Sequence, residues 1–169
     1  MFPDKQGLKT VALIEAKSEV LHLGVDLGKI SRNKSAPIKN KKPLILWNHR
    51  WEHDKNPEDF IAALISIKNK NIAFNVAFLG ERFNKTPEIF LKAKKYLKDN
   101  IVHFGYIEDQ SEYIDWLLKS DIIPVTSHHD FFGVSIVQAI SAGCIPLLPK
   151  RLSYPELVSI KKYPDNFYS

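Results

Sequence analysis

From Pro43 onward the chain alternates short apolar runs with amphipathic stretches of helical spacing, and that alternation leaves very few architectures open. Strands are predicted at residues 44–47, 76–79, 101–104, 122–126 and 145–148. Between them the helix signals are explicit. Asn56-Pro57-Glu58-Asp59 supplies an N-cap, a proline for the first turn and two acids ahead of Phe60, Ile61, Leu64 and Ile65. Thr86-Pro87-Glu88 opens a second helix that turns Ile89, Phe90, Ala93 and Leu97 inward and leaves Lys92, Lys94, Lys95 and Lys98 in water. Asp109, with Glu112 three residues on, has the form of a capping box for a third, and a fourth follows Gly133 and stops at Gly143. Strands this short and continuously apolar need cover on both faces, and parallel neighbours need crossover helices. The expected fold is therefore an α/β, Rossmann-like, doubly wound parallel sheet. Pro124 and Pro146 each delete a ladder donor, which places them at strand ends or bulges, or makes their strands shorter.

At 169 residues, 44% of them hydrophobic, the chain suffices for one buried core. Six cations, Lys29, Arg32, Lys34, Lys39, Lys41 and Lys42, fall in a stretch without an acid, and setting them aside takes the net charge from +5 to −1. The arithmetic argues against a nucleic-acid-binding face spread over the whole fold and leaves room only for a local basic strap. Residues 1–42 hold one apolar segment, Val20 to Val25, followed by this run, too little for a core of their own. They are expected to be the remnant of a preceding domain plus a basic linker, with the folded domain spanning 43–169. The single Cys144 excludes an internal disulfide or a multi-thiolate zinc site and is expected to be a small core residue. No apolar run approaches the roughly 18 to 20 residues that cross a bilayer, and the N-terminus lacks a signal-peptide pattern. A cytoplasmic location is the resulting expectation.

Ligands of doubly wound sheets bind outside the carboxyl ends of the strands, so the chemistry is sought in the loops at residues 48–56, 80–86, 105–110 and 127–133. The first, Asn48 to Lys55, carries Arg50 and Lys55 and runs into the helix capped by Asn56. A planar guanidinium fork, an ammonium and a positive helix end suit a phosphate or diphosphate. On the residues alone, surface pairing of Arg50 with Glu52 and of Lys55 with Asp54 serves equally well. In the loop before the fourth helix, Phe131, Phe132 and Gly133 allow a tight aromatic-walled turn whose backbone N–H groups face the pocket, with Asp130 projecting into the crevice and Gln138 about two turns along the helix. A carboxylate and an amide suit sugar and ribose hydroxyls, and core packing is the alternative for a Phe. No GxGxxG follows the first strand and no GxxxxGK[ST] occurs, which disfavours dinucleotide redox and P-loop chemistry. His49, His53, His128 and His129 lack the HExxH order or a supporting carboxylate spacing, so no metal site is expected. His103, inside an apolar strand, is expected to be structural.

With both loops in view, the chain resembles the C-terminal, donor-binding half of a retaining glycosyltransferase of family 4 with the GT-B architecture. Arg50 and Lys55 match that family's Arg-x4-Lys pair, and Asp130 and Gln138 stand where its Glu-x7-Glu motif has two acids. Within that group the chain is most similar to the tRNA-queuosine alpha-mannosyltransferases. The similarity is carried by Trp47 to Asp59 (WNHRWEHDKNPED), Phe78 to Glu81, His103 to Tyr106, Phe131 to Val134, Gly143-Cys144, Pro149-Lys150 and Tyr154-Pro155-Glu156. The resemblance implies a GDP-mannose donor as substrate, no cofactor and no metal. It implies that Arg50 and Lys55 bind and stabilise the leaving diphosphate and that Tyr106 lies against the base. Asp130, Phe132, Gly133 and Val134 would face the transferred sugar, and Gln138 would meet the ribose. It further implies a tRNA acceptor held by an N-terminal domain, without which this chain transfers nothing. Two other readings share these residues: a family 4 transferase acting on glycan or lipid-linked acceptors, and a non-catalytic nucleotide-binding module.

Overall fold

The computed structural model describes residues 8–32, 40–81 and 86–169. Lys34 and Lys39 of the basic run, and most of the loop after Glu81, lie outside them. Two helices, α1 (Leu8–Glu15) and α2 (Gly28–Arg32), precede the alternating region. There β1 (Leu44–Trp47), a 3-10 turn (His53–Lys55), α3 (Pro57–Asn69), β2 (Asn75–Phe78), α4 (Glu88–Tyr96) and β3 (Ile101–Phe104) form the first half. The second half is α5 (Gln110–Lys119), β4 (Ile122–Pro124), α6 (Val134–Ala142), β5 (Ile145–Pro149), α7 (Tyr154–Leu157) and β6 (Phe167–Tyr168). All strands are parallel, in the order β3-β2-β1-β4-β5-β6.

The two-residue alternation of β1 divides the core. Leu44 and Leu46 join Ala77, Ile123, Val125, Leu117, Ile136 and Ala139 on one face, beneath α5 and α6. Ile45 and Trp47 join Phe60, Ile61, Leu64, Phe78, Phe90 and Ala93 on the other, beneath α3 and α4. The winding therefore reverses between β1 and β4, and the loops leaving those two strands diverge over a crevice. α2 packs on α5 and α6, with Ile30 buried in the first cluster. Cover is incomplete at β5, where Ile145 and Leu147 are exposed, so the expectation of cover on both faces fails there among the described residues.

The prolines find the positions their missing N–H demands. β4 stops at Pro124, two residues shorter than expected. In β5 the Ile145 N–H donates to Asp121 and the Leu147 carbonyl accepts from Val125, so both face β4 and the intervening Pro146 faces away. On that side β6 pairs only with Leu148 and Pro149. β6 itself has too few residues to show a period, which is why the sequence pattern does not reveal it. Asn56 and Asp109 do cap their helices, accepting from Asp59 N at 3.3 Å and Glu112 N at 2.8 Å. Gly143 stops α6 at φ 109°.

Trp51 pins the loop after β1 to the sheet. Its backbone N–H donates to the Glu81 carbonyl at 2.8 Å and its ring stacks on Phe90 at 4.3 Å. Gly80 sits under this loop so closely that a Cβ there would lie 1.6 Å from the His49 carbonyl oxygen. Gly80→Ala is expected to destabilise the fold by at least about 2 kcal/mol, because neither backbone can yield without moving a strand end. Denaturant unfolding of the two proteins checks this; equal midpoints would contradict it.

Candidate functional site

Two adjoining depressions open at the carboxyl ends of β1 and β4. The larger, about 450 Å³, is lined by Arg50, Lys55, Asp130, Phe132, Gly133 and Val134 together with Asn48, His49, Asp54 and Ser135. The smaller, about 360 Å³, is lined by Tyr106, Tyr113 and Gln138, with Gly80 and Glu81 at its wall. Asn48 and Arg50 belong to both and form the ridge between them. The residues singled out in the sequence thus meet in one trough, Arg50, Lys55, Asp130, Phe132, Gly133 and Val134 in its larger lobe and Tyr106 and Gln138 in its smaller.

Arg50 and Lys55 differ in circumstance. The Arg50 side chain is half exposed and pairs with Glu52 at 3.0 Å, a contact easily exchanged for another anion. Lys55 is buried. Its Nζ donates to the His129 carbonyl at 2.7 Å and lies 3.2 Å from Asp54 and 3.7 Å from Asp130. Both surface pairings open on the residues alone therefore exist, but that of Lys55 is part of a network joining the β1 and β4 loops. The same loops are stitched by the His128 N–H, which donates to Asp54 O at 2.8 Å, and by the Thr126 hydroxyl, 2.9 Å from the carbonyls of Lys55 and Asn56.

Of the two helix entries expected beside the trough, only that of α6 keeps its N–H groups open. The N-terminus of α3 is capped by the Asn56 side chain and carries Glu58 and Asp59 in its first turn, which already supply negative charge. α6 begins at Gly133, φ 80°, with no side-chain cap and no acid in its first turn, and Gly133, Val134 and Ser135 line the larger lobe. Its backbone N–H groups and dipole are the ones left for an anion.

Asp130 is largely buried, and its Oδ2 accepts from the Tyr154 hydroxyl at 3.2 Å. Gln138 lies on α6 with its Oε1 accepting from the Tyr113 hydroxyl at 3.2 Å. Tyr113 accepts in turn from Asn48 Nδ2 at 3.2 Å, and burial pushes its own ionisation up to about 12. The Gln138 side chain, with its Oε1 so engaged, lines the smaller lobe. Phe131, expected to wall the turn, does line the larger lobe while staying fully exposed, and Phe132 beside it is partly buried.

The four loop histidines do not converge. His53 is exposed beside Glu58, whereas His49 is sealed among the loops. Among the described residues no three His, Cys, Asp or Glu side chains group as metal ligands would. Burial lowers the His49 pKa from 6.5 to about 4, against the pull of Asp130, so the ring is neutral at ordinary pH. Its Nε2 and Asn48 Oδ1 have no hydrogen-bond partner among the described residues. Sequence reasoning weighed His49 only as a metal ligand and did not single out Asn48, Tyr113 or Tyr154 as site residues. A polar side chain directly after a buried strand was the available signal for Asn48 and His49. His103 is satisfied, its Nε2 2.9 Å from the Gly105 carbonyl, and Cys144 is buried with its thiol pushed up to about 12 by desolvation.

Residues 29–163 match the model of the family described as glycosyl transferases group 1. The chain is 34% identical over 164 residues to the tRNA-queuosine alpha-mannosyltransferase of Drosophila melanogaster, an alignment covering 92% of this chain and 42% of that protein. It spans about two-fifths of that relative's length. Among solved structures it is similar to the C-terminal domain of a group 1 family glycosyl transferase from Francisella tularensis (TM-score 0.62, 23% identity, 80% of this chain and 75% of that one). It is also similar to a glycosyltransferase from Rickettsia africae (TM-score 0.68, 20% identity, 86% and 41%) and to Anabaena HepE, solved in complex with UDP (TM-score 0.61, 18% identity, 88% and 44%). The fold is the Rossmann-like half of the GT-B architecture.

The neutral His49 makes the fold acid-sensitive in a defined way. The unfolded chain takes up a proton near pH 6.5 that the folded chain refuses until about pH 4, so stability present above pH 6.5 is lost as pH falls toward 4. Urea unfolding at pH 7.5 and pH 4.5 is expected to show the parent losing about 2 to 3 kcal/mol more than His49→Gln, whose side chain does not titrate. Equal losses would mean that the imidazole is not held neutral.

Proposed function

The chain belongs to the group 1 glycosyl transferases, and from that premise we propose that its trough binds a nucleotide sugar, GDP-mannose, for transfer of mannose to queuosine in tRNA. The observation that carries the reading is the pairing of a half-exposed Arg50 with an uncapped α6 N-terminus across one lobe, beside a second lobe walled by Tyr106. The mannose donor and the tRNA acceptor are taken from the relative in Drosophila melanogaster. The diphosphate lies between Arg50 and the α6 N–H groups, the sugar beside Asp130, Phe132, Gly133 and Val134, and the nucleoside in the smaller lobe against Tyr106 and Gln138.

In the transfer the bond from the sugar's anomeric carbon to the diphosphate oxygen breaks, a bond to an acceptor hydroxyl forms, and the hydroxyl proton leaves with the nucleoside diphosphate. Negative charge grows on the departing phosphate. Arg50 can turn from Glu52 to meet it, Lys55 sets a fixed positive charge beneath the loop, and α6 aims N–H groups at it, all in place before the reaction. Gln138, with Oε1 held by Tyr113, offers the ribose a donor where an acid would offer an acceptor. The acceptor is held by a further domain, since positioning it against the donor requires a second wall to the cleft.

Arg50 is the clean probe of this arrangement. Removing Lys55 would leave Asp54 and Asp130 without their cation and cost stability, whereas Arg50 is half exposed and supports no buried group. Calorimetry with GDP, UDP, ADP and GDP-mannose is expected to show the guanine ligands binding best and Arg50→Ala weakening them by about 1.5 to 3 kcal/mol, the range for a charge-assisted hydrogen bond. Parent-like binding by Arg50→Ala would overturn the diphosphate assignment. Labelled mannose is expected to enter queuosine-containing tRNA only when this chain is supplied with the part of the Drosophila melanogaster relative that it does not align with. Incorporation by the chain alone would overturn the need for a second domain.

A further inference from the structure

The two carboxylate oxygens of Asp130 are unequally engaged. Oδ2 is occupied twice from inside the protein, by the Tyr154 hydroxyl at 3.2 Å and by the Lys55 ammonium at 3.7 Å. Among the described residues Oδ1 makes no hydrogen bond, and Asp130 lines the larger lobe. An aspartate at the end of a loop has two side-chain torsions to settle, and a single ionic contact at 3.7 Å leaves the carboxylate free to pivot about the cation. A second, directional contact removes that freedom.

Tyr154 is built to supply it. The residue opens α7 and is wholly buried, its ring beside the turn at Gly133, where a Cβ would stand 3.4 Å from it in ordinary van der Waals contact. A ring fixed on all sides places its hydroxyl at one point. Burial also keeps that hydroxyl protonated, by pushing its ionisation well above the ordinary tyrosine value, so it acts as a donor.

We propose that Tyr154 is a positioning residue for the donor sugar: its hydroxyl holds Asp130 Oδ2 against Lys55 so that Oδ1 faces the trough and accepts from the sugar's hydroxyls. This rests on the donor-binding reading above. It also accounts for an aspartate at a place where the related motif carries the longer glutamate. The shorter side chain reaches less far, and a fixed tyrosine removes the torsional freedom that would otherwise weaken its grip.

The test separates the sugar from the nucleotide. Tyr154→Phe keeps the ring and the core and deletes only the hydroxyl. With the full chain in calorimetry, GDP affinity is expected to stay within about twofold of the parent while GDP-mannose affinity falls about fivefold to tenfold, the size of one hydrogen bond. Asp130→Ala is expected to lose the same selectivity, and Tyr154→Phe added to Asp130→Ala to change it no further, because the two residues act as one unit. A crystal structure of Tyr154→Phe is expected to show the Asp130 carboxylate turned from its place beside Lys55. Unchanged selectivity in Tyr154→Phe, equal loss for both ligands, or an unmoved Asp130 in the crystal would overturn the proposal. If the parent bound neither GDP nor GDP-mannose, the donor-binding reading would fall and the sugar-positioning role with it. A displaced Asp130 in the Tyr154→Phe crystal would then still establish the Tyr154–Asp130 contact as the one that orients the carboxylate.

Discussion

The reversal of winding between β1 and β4 governs everything that follows it. Helices on one side of that junction cover one face of the sheet and helices on the other side cover the opposite face, so the two loops at the junction have no helix packed between them. The loops must still satisfy their backbone groups. They do so by bonding to each other, Thr126 to the carbonyls of Lys55 and Asn56, His128 and Lys55 across the gap. The crevice is thus an outcome of topology, and its rigidity comes from hydrogen bonds that the topology makes obligatory.

Burying Lys55 in this junction carries an electrostatic cost that the structure meets with partners. Asp54, Asp130 and the His129 carbonyl surround the ammonium, and His49, packed beside them, stays neutral because no room is left to solvate a further charge. The fixed charges are spent on one another. What remains for direct contact with a ligand are the groups not so engaged, the Arg50 guanidinium, the N–H groups that open α6, one oxygen of Asp130 and the amide end of Gln138, while Lys55 acts on it only through its field. Under the proposed function this division suits a surface that attracts a diphosphate and then releases it.

The pinning of the first loop shows how far the site depends on the hydrophobic core. Trp51 is buried against Phe90 and Phe104, which obliges the flanking Arg50 and Glu52 to remain outside. Gly80 lies under the same loop because only a residue without a Cβ fits against the His49 carbonyl. Site geometry and core packing are therefore coupled through a few ångströms of backbone.

Much of the architecture was legible in the residues because it is local. Apolar runs of four or five, Asn56 and Asp109 as caps, and Gly133 and Gly143 at the ends of α6 each act within a turn or two, and together they dictated a parallel sheet with crossover helices. The loops that hold Arg50, Lys55 and Asp130 followed from the strand ends. Tertiary structure alone decided what those side chains meet. Lys55 reaches a carbonyl 74 residues away, a distance over which sequence pattern carries no directional information. No period announces β6, the burial of His49, or the hydroxyl that Tyr154 sets on Asp130. Nor could the sequence say which of its two candidate loops would keep a helix end open: α3 carries the Asn56 cap and two acids and consumes its own positive end, while α6, entered through the Gly133 turn, is left facing the trough. Local propensity acts through the chain's own backbone and is written in order. Contacts between distant loops depend on where the sheet places them, and only the packed fold assigns that.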